Sequence, residues 1–308
     1  MRVDAHKVVA TLAMAIPMAA AVAAQPMARG ERPAATATAL MSATSGLAAP
    51  YDPPEIADDA RIAEDGTAID VSDADKGEIR ARAATGSGAR HKLLVSCGSE
   101  RYAYDLPGDG SAISVPTNMG EGTYVVSVMR EVRDCEYVPV LSAEAEVVLD
   151  DPDRPFLEPS VMCPYSPDGA CAREAHAVAA GCETRAETVD RMFDRVMVLL
   201  SYDYAKADRW RGESGYLPSP DAAISEGQGI CIDYASALAA MLRSCGIPAK
   251  IATGTVMPLG EHHAWVEAKV SLGTGGEGKW VRLDPTLSDR SPGIASPLDA
   301  TYEKRHEY

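Results

Sequence analysis

Phenylalanine is almost missing from this chain. Two Phe and three Trp occur in 308 residues, so a packed core has to come from Val, Leu, Ala, Met and the 12 Tyr. Hydrophobic residues still make up 46%, which is enough to build one. Positive charge is also short: 29 Lys and Arg stand against 45 Asp and Glu, a formal net charge of −16. A surface of that sign is repelled by nucleic acid and by anionic membranes, and neither is expected as a partner. The spacings CxxC and HxxxH are absent, as is an acidic cluster of calcium-loop type. No metal and no cofactor is therefore expected. Internal repeats are absent, and after residue 24 no long hydrophobic run occurs.

The one long apolar run is at the start. Residues 8–24, VVATLAMAIPMAAAVAA, carry no charge, and Arg2 and Lys7 precede or border them, diluted by Asp4. Ala21-Val22-Ala23 satisfies the small-x-small rule for signal cleavage. Seventeen residues interrupted by Pro17 are short for a membrane span, which disfavours the competing reading as an uncleaved anchor. The expectation is a signal peptide over 1–24 and a secreted or cell-surface protein with no integral membrane segment after cleavage. Residues 25–66 are rich in Ala, Thr, Pro and Asp without periodicity, and read as a disordered linker.

Between 67 and 152 the pattern changes. The runs GEIRARAA, HKLLVSC, RYAYDL, SAISVP, TYVVSVMREV and AEAEVVL alternate with the turn signals TGSG, PGDG and NMGEG. Tyr124, Val126 and Val128 share one face. This spacing predicts a small antiparallel β-sandwich of immunoglobulin-like type, with a structural or adhesive role. From 153 to 308 the period becomes helical. Thr184-Arg185-Ala186-Glu187 fits a capping box, and Val189, Met192, Phe193, Val196 and Leu200 form the buried stripe behind it. An earlier helix is expected from Ala172 to Ala180, stopping at Gly181.

The stretch GQGICIDYASALAAMLRSCGIPAK, residues 227–250, places Cys231 between a glycine turn and a helix. Ala235, Leu238, Leu242 and Cys245 mark the buried face, and Gly246 with Pro248 marks the end. A helix N-terminus presents free backbone N–H groups and about half a positive charge, which favour a thiolate and can hold an oxyanion. A single cysteine at a helix start is more often structural, so the residues downstream of it decide. In EHHAWVEAKV, His263, Trp265, Glu267 and Lys269 lie on one strand face and Ala264, Val266, Ala268 and Val270 on the other. After the loop LGTGGEG, KWVRLDPT returns as a second strand that ends at Pro285. Folding the hairpin brings Asp284 within two or three residues of His263, a gap that a bulge or shear would close. A carboxylate beside a histidine, facing a thiol at a helix start, is the triad arrangement of a nucleophile, a base and an orienting group. The pair His262-His263 does not suggest a metal, because neighbouring strand residues point to opposite faces.

GICIDYASALAAMLRSCGIPAKIATG, HHAWVEA and WVRLDPT together resemble the core of the bacterial transglutaminase-like superfamily, and SYDY at 201–204 resembles its upstream Tyr-Asp pair. The resemblance covers roughly residues 157–289. It implies an α+β fold with a papain-like transglutaminase core preceded by the β-sandwich. It also implies Cys231 as nucleophile, His263 as base and then acid, and Asp284 as orienting carboxylate, working through a thioacyl-enzyme on a protein or peptide substrate. Animal crosslinking transglutaminases carry Trp directly after the nucleophile, where this chain has Ile232. Gln228 is a candidate oxyanion donor, although it lies three residues before the cysteine, off the usual papain offset. The alternatives are a peptidase or amidase, a crosslinking acyltransferase, and a non-catalytic surface module that only binds peptides.

The seven cysteines fit partial oxidation after export. Cys97 and Cys135, both at strand ends, are a candidate bridge. Two of Cys163, Cys171 and Cys182 can pair, with Cys171 to Cys182 least favoured on geometry, and Cys245 is expected buried and reduced.

Overall fold

The computed structural model describes residues 54–86, 88–133, 135–211, 215–257, 260–271, 278–287 and 300–308. The expected signal peptide, most of the expected linker and the loop 272–277 lie outside the described residues. The fold is α+β. Two four-stranded antiparallel sheets form a sandwich at the N-terminal side. One runs in the order β1 (Arg61–Ile62), β2 (Ala68–Asp70), β3 (Glu78–Arg82) and β6 (Ile113–Pro116). The other runs β5 (Glu100–Leu106), β4 (His91–Cys97), β7 (Gly122–Arg133) and β8 (Glu136–Val147). Ile69, Ile79 and Val115 from the first sheet meet Leu93, Val95, Tyr124, Val126 and Val128 from the second in one core. β1 pairs with β2 through Arg61 and Ile62, inside the stretch whose composition suggested a spacer.

β8 starts seven residues before the run AEAEVVL that signalled it. Pro139 lies within it and cannot donate to the ladder, and the register between β7 and β8 shifts there, between Val128 and Met129. The long hairpin also removes one expected disulfide. Cys97 lies opposite Tyr124 near the start of β7, while Cys135 follows its far end. Most of a 12-residue strand separates them, about 30 Å, against the roughly 7 Å that a disulfide tolerates.

The second half of the chain begins with helices α1 (Ala170–Ala179) and α2 (Arg185–Leu199). Thr184 caps α2, its hydroxyl accepting from the Glu187 N–H at 3.1 Å, and Glu187 reaches back to the Glu183 N–H at 2.9 Å. Short helices α3 (Tyr204–Trp210) and α4 (Pro220–Glu226) precede α5 (Cys231–Ser244). The small pair β9 (Ser201–Tyr202) and β10 (Gln228–Gly229) runs parallel. A four-stranded antiparallel sheet completes the fold, in the order β13 (Lys279–Leu283), β12 (Glu261–Val270), β11 (Ala249–Met257) and β14 (Thr301–Glu307). α5 is the centre of this half. Ala235, Leu238 and Leu242 are fully buried and share a core with Ala264, Val266, Ala268 and Val270 of β12. Cys245 is only partly buried, at the cap after α5, because the helix ends before the face it was expected to share closes over it.

β14 docks on β11 through a register shift between Thr253 and Gly254. A Cβ at Gly254 would stand 2.0 Å from the Glu303 carbonyl oxygen, so only glycine lets the two backbones approach. Arg243 of α5, 3% exposed, ties this half together: its guanidinium donates to the carbonyls of Glu158, Ala249 and Tyr308. Among the described residues no helix is long and apolar enough to cross a membrane.

Candidate active site

The turn before Cys231 is built by two glycines with different duties. Gly227 ends α4 in the left-handed region at φ +73°, which a residue with a Cβ rarely adopts. Gly229 makes room for Asp233, whose Cβ lies 2.6 Å from where a Cβ at 229 would be. Ile230, the cap residue, has no side-chain oxygen to offer the first turn. Asp233 reverses the usual cap, its Oδ2 accepting from the Ile230 N–H at 2.9 Å. The same fully buried carboxylate accepts from Lys206 Nζ at 2.8 Å and from the Tyr216 hydroxyl at 2.6 Å. The start of α5 is thus clamped within two residues of Cys231. β9 pairs with β10 and sets Tyr202 opposite Gly229, beside the Cys231 backbone. Burial pushes that phenol well above its ordinary range.

His263 stands on β12 and Asp284 directly after β13. The β12–β13 register is regular, with Val266 opposite Leu283 and Val270 opposite Lys279, and no bulge closes the expected gap. The chain instead leaves the strand after Leu283 and turns inward, which aims the Asp284 carboxylate across at His263. His263 Nε2 and Asp284 Oδ2 are 2.8 Å apart. The turn is locked from within: Asp284 Oδ1 accepts from the Thr286 N–H (3.0 Å), the Thr286 hydroxyl (2.9 Å) and the Leu287 N–H (3.0 Å). Thr286 Oγ1 also lies 3.2 Å from His263 Nε2. On its other side the ring is within hydrogen-bonding reach of the Cys231 side chain. With Nε2 engaged by the carboxylate, Nδ1 is the nitrogen left to exchange a proton with the thiol. Cys231, His263 and Asp284 therefore come together in the predicted order.

Burial alone would push the His263 ring down; hydrogen bonds to Asp284 and Cys231 outweigh it and bring the ring to about 10. Burial would likewise raise Asp284, yet hydrogen bonds from His263 and Tyr302 and from the Leu287 N–H hold it below its usual range. Below about 6.5 the ring is protonated both folded and unfolded. Between about 6.5 and about 10 only the folded chain keeps the proton, so stability falls as pH rises through that window. We expect His263→Gln to flatten the decline by up to about 1.4 kcal/mol per pH unit, measured by denaturant unfolding from pH 6 to 10. An identical slope in both proteins would refute the assignment.

Gln228 does not join the three. It is exposed on β10 and lines a neighbouring cleft of about 380 Å³ with Asp203, Lys206, Arg209, Trp210 and Glu226. Neither Cys231 nor His263 lines that cleft. The residue that β9 sets beside the start of α5 is Tyr202, from the SYDY stretch. Tyr302, Thr286 and Asp233 also belong to the site and were not singled out in the sequence. Asp233 was findable, since an acid three residues after a helix cap is a capping signal. Among the described residues no group of three or more His, Cys, Asp or Glu is arranged to hold a metal ion.

Residues 173–285 match the family model of the Transglutaminase-like superfamily. This segment is transglutaminase-like. It holds all three residues of the thiol–imidazole–carboxylate arrangement, and at the level of the superfamily it supports a cysteine-dependent enzyme. No curated protein matches the chain. Among solved structures, one described as a "putative cysteine protease" from Cytophaga hutchinsonii overlaps at 20% identity and TM-score 0.36, over 66% of this chain and 68% of that one. Red sea bream transglutaminase overlaps at 13% identity and TM-score 0.28, over 71% of this chain. The overlap spans 49% of the sea bream enzyme's length.

Proposed function

We propose that the transglutaminase-like segment is an amide-bond enzyme working through a thioacyl intermediate, on protein or cell-wall peptides. One observation carries this reading. Cys231 opens α5 beside a ring whose far nitrogen is bound to a buried, charged carboxylate at 2.8 Å. In that order the ring takes the thiol proton, and the sulfur attacks the amide carbonyl. The imidazolium passes its proton to the leaving amine, which departs and leaves a thioester on Cys231. Water then hydrolyses the thioester, or a primary amine attacks it and forms a new amide. Tyr202 supports the first step. Its phenol lies beside the start of α5, where its hydroxyl can donate to an oxygen that gains charge beside the sulfur.

The apolar run at residues 8–24 and the Ala-Val-Ala site support export, with a mature N-terminus near Ala24 or Gln25. The test of the enzymatic reading is to incubate the full chain with a peptide library, with and without a fluorescent primary amine, and to read products by mass spectrometry. Cleaved or deamidated peptides without amine incorporation identify a hydrolase, and incorporated amine identifies an acyltransferase. No product, together with retained binding of library peptides, would establish the non-catalytic peptide-binding module instead.

A further inference from the structure

Asp284 carries one more hydrogen bond than holding it in place requires. Its Oδ1 is already fixed by three donors from Thr286 and Leu287. Its Oδ2 serves two: His263 Nε2 at 2.8 Å and the Tyr302 hydroxyl at 2.7 Å. Tyr302 comes from β14, which reaches the site only because Gly254 leaves room for it. Its ring is fixed on two sides. The Arg282 guanidinium lies 3.8 Å from the ring centre, and Trp265 meets the ring edge-on at 5.0 Å. A tyrosine held so firmly is aimed at one oxygen, and that oxygen is the one that faces the histidine.

We propose that Tyr302 is a positioning residue that sets how much of the Asp284 charge reaches the His263 ring, by sharing Oδ2 with it. This rests on the roles proposed for Cys231, His263 and Asp284. A phenol that donates to a carboxylate oxygen draws negative charge onto its own hydrogen. The oxygen is then a weaker acceptor for the ring N–H, and the imidazolium is stabilised less. The effect is useful because the ring has two tasks. It must take a proton from the thiol, and it must then give one to a leaving amine, which a very strongly held imidazolium does poorly. Without Tyr302, Asp284 would bias the ring toward the first task.

The charged and titratable groups around Tyr302 come from four elements. Arg282 of β13 covers its face, and Asp284 comes directly after that strand. His263 of β12 lies across Oδ2, with Cys231 of α5 beyond the ring. Lys304 of β14 is occupied by Glu267 at 2.8 Å, behind Trp265. His262 and Arg305 influence one another on the opposite face of the sheet. Arg282 is the cation stacked on the Tyr302 ring, and Tyr302→Phe keeps the ring it stacks on.

The measurement is the titration of the His263 imidazole by NMR in the full chain labelled at histidine, with its signal assigned by its loss in His263→Ala. Tyr302→Phe is expected to raise the midpoint by about half a pH unit, and Asp284→Asn to lower it by about one unit or more. The opposite signs are the signature. A tyrosine that merely propped up the carboxylate would shift the ring downward on removal, in the same direction as Asp284→Asn. Incorporating 3-fluorotyrosine at position 302 alone keeps the shape and strengthens the donor while leaving it protonated through the titration of the ring, and it should lower the midpoint. This second variant covers the case in which Tyr302→Phe fails to fold. A midpoint that stays or falls in Tyr302→Phe, or that fails to fall with fluorotyrosine, overturns the inference. Alkylation of Cys231 by iodoacetamide separates this from a failure of the triad reading. If His263→Ala leaves that rate unchanged, the triad reading itself is wrong. If His263→Ala slows it while the titration ignores position 302, only the role of Tyr302 is lost.

Discussion

Cys231→Ala is expected to abolish turnover of any peptide amide that the wild-type protein processes, a loss of about 10⁴-fold or more. The sulfur is the one atom that forms a bond to the substrate, and alanine offers no substitute. His263→Ala should cost nearly as much, since the ring both activates the thiol and protonates the leaving amine. It should also slow alkylation of Cys231 near neutral pH. Asp284→Asn keeps the shape and the bonds to Oδ1 while removing the charge, so its loss should be smaller, about 10- to 10⁴-fold. All three variants should fold, although His263→Ala leaves the buried Asp284 carboxylate without its ring partner and should cost some stability. Steady-state rates on a peptide found in the library experiment decide the matter. Activity surviving in Cys231→Ala at more than a few per cent would exclude the thioacyl route, and a faster-alkylating Cys245 or Cys182 in the native protein would point to another nucleophile.

Asp233→Ala is expected to give the largest loss of stability among substitutions near the site. The carboxylate is fully buried and satisfies three groups at once: the Ile230 N–H, Lys206 Nζ and the Tyr216 hydroxyl. Removing one partner of a buried charge pair costs about 3–5 kcal/mol when the remaining charge is sealed in. The Lys206 side chain keeps 28% of its surface exposed, so part of that cost is relieved by water, and the loss of the cap restores part of it. The expected fall is about 2–4 kcal/mol by urea unfolding. Asp233→Asn should recover less than half, because the amide can accept one of the three donors well but pairs poorly with an ammonium. A fall below about 1 kcal/mol in Asp233→Ala would mean that Lys206 and Tyr216 find other partners. The site should suffer beyond the stability loss, since α5 begins two residues earlier at Cys231. Alkylation of the folded fraction should be slower than in wild type.

The legible parts of this molecule are those where burial imposes a period. The α2 stripe from Val189 to Leu200 needs one wet side and one dry side, and the chain writes that need directly. α5 is instead buried all round from Asp233 to Arg243 and β12 on both faces from His263 to Val266, so there the small and apolar residues themselves carry the signal. Cys231, His263 and Asp284 could be read because each sits next to a strong local signal: a glycine turn, an alternating strand and a proline stop. Tyr302 lacked such a neighbour. β14 reads TYEKRHE, a charged edge strand in which Tyr302 is the single large apolar side chain, and its partner β11 lies far back in the chain. Thr286 escaped for the opposite reason, since a threonine two residues after an aspartate is common in turns and says nothing about a histidine on another strand. The closure of the His263–Asp284 gap needed the turn after Leu283, which no pattern of residue types distinguishes from a bulge.

The strand order β13-β12-β11-β14 also dictates when the site can form during folding. β11 and β12 are joined by a short connection, and β12 and β13 by a hairpin, so these three can zip together from local encounters. Met257 of β11 must find Thr301, more than forty residues away, to begin pairing with β14. His263 and Asp284 are therefore expected to be in place before Tyr302 arrives. Until it does, the outer side of β11 is an unpaired edge, open to any other extended segment, and a second chain in the same state would offer one. Refolding at high protein concentration should accordingly trap material at this stage, before the last strand has closed the edge.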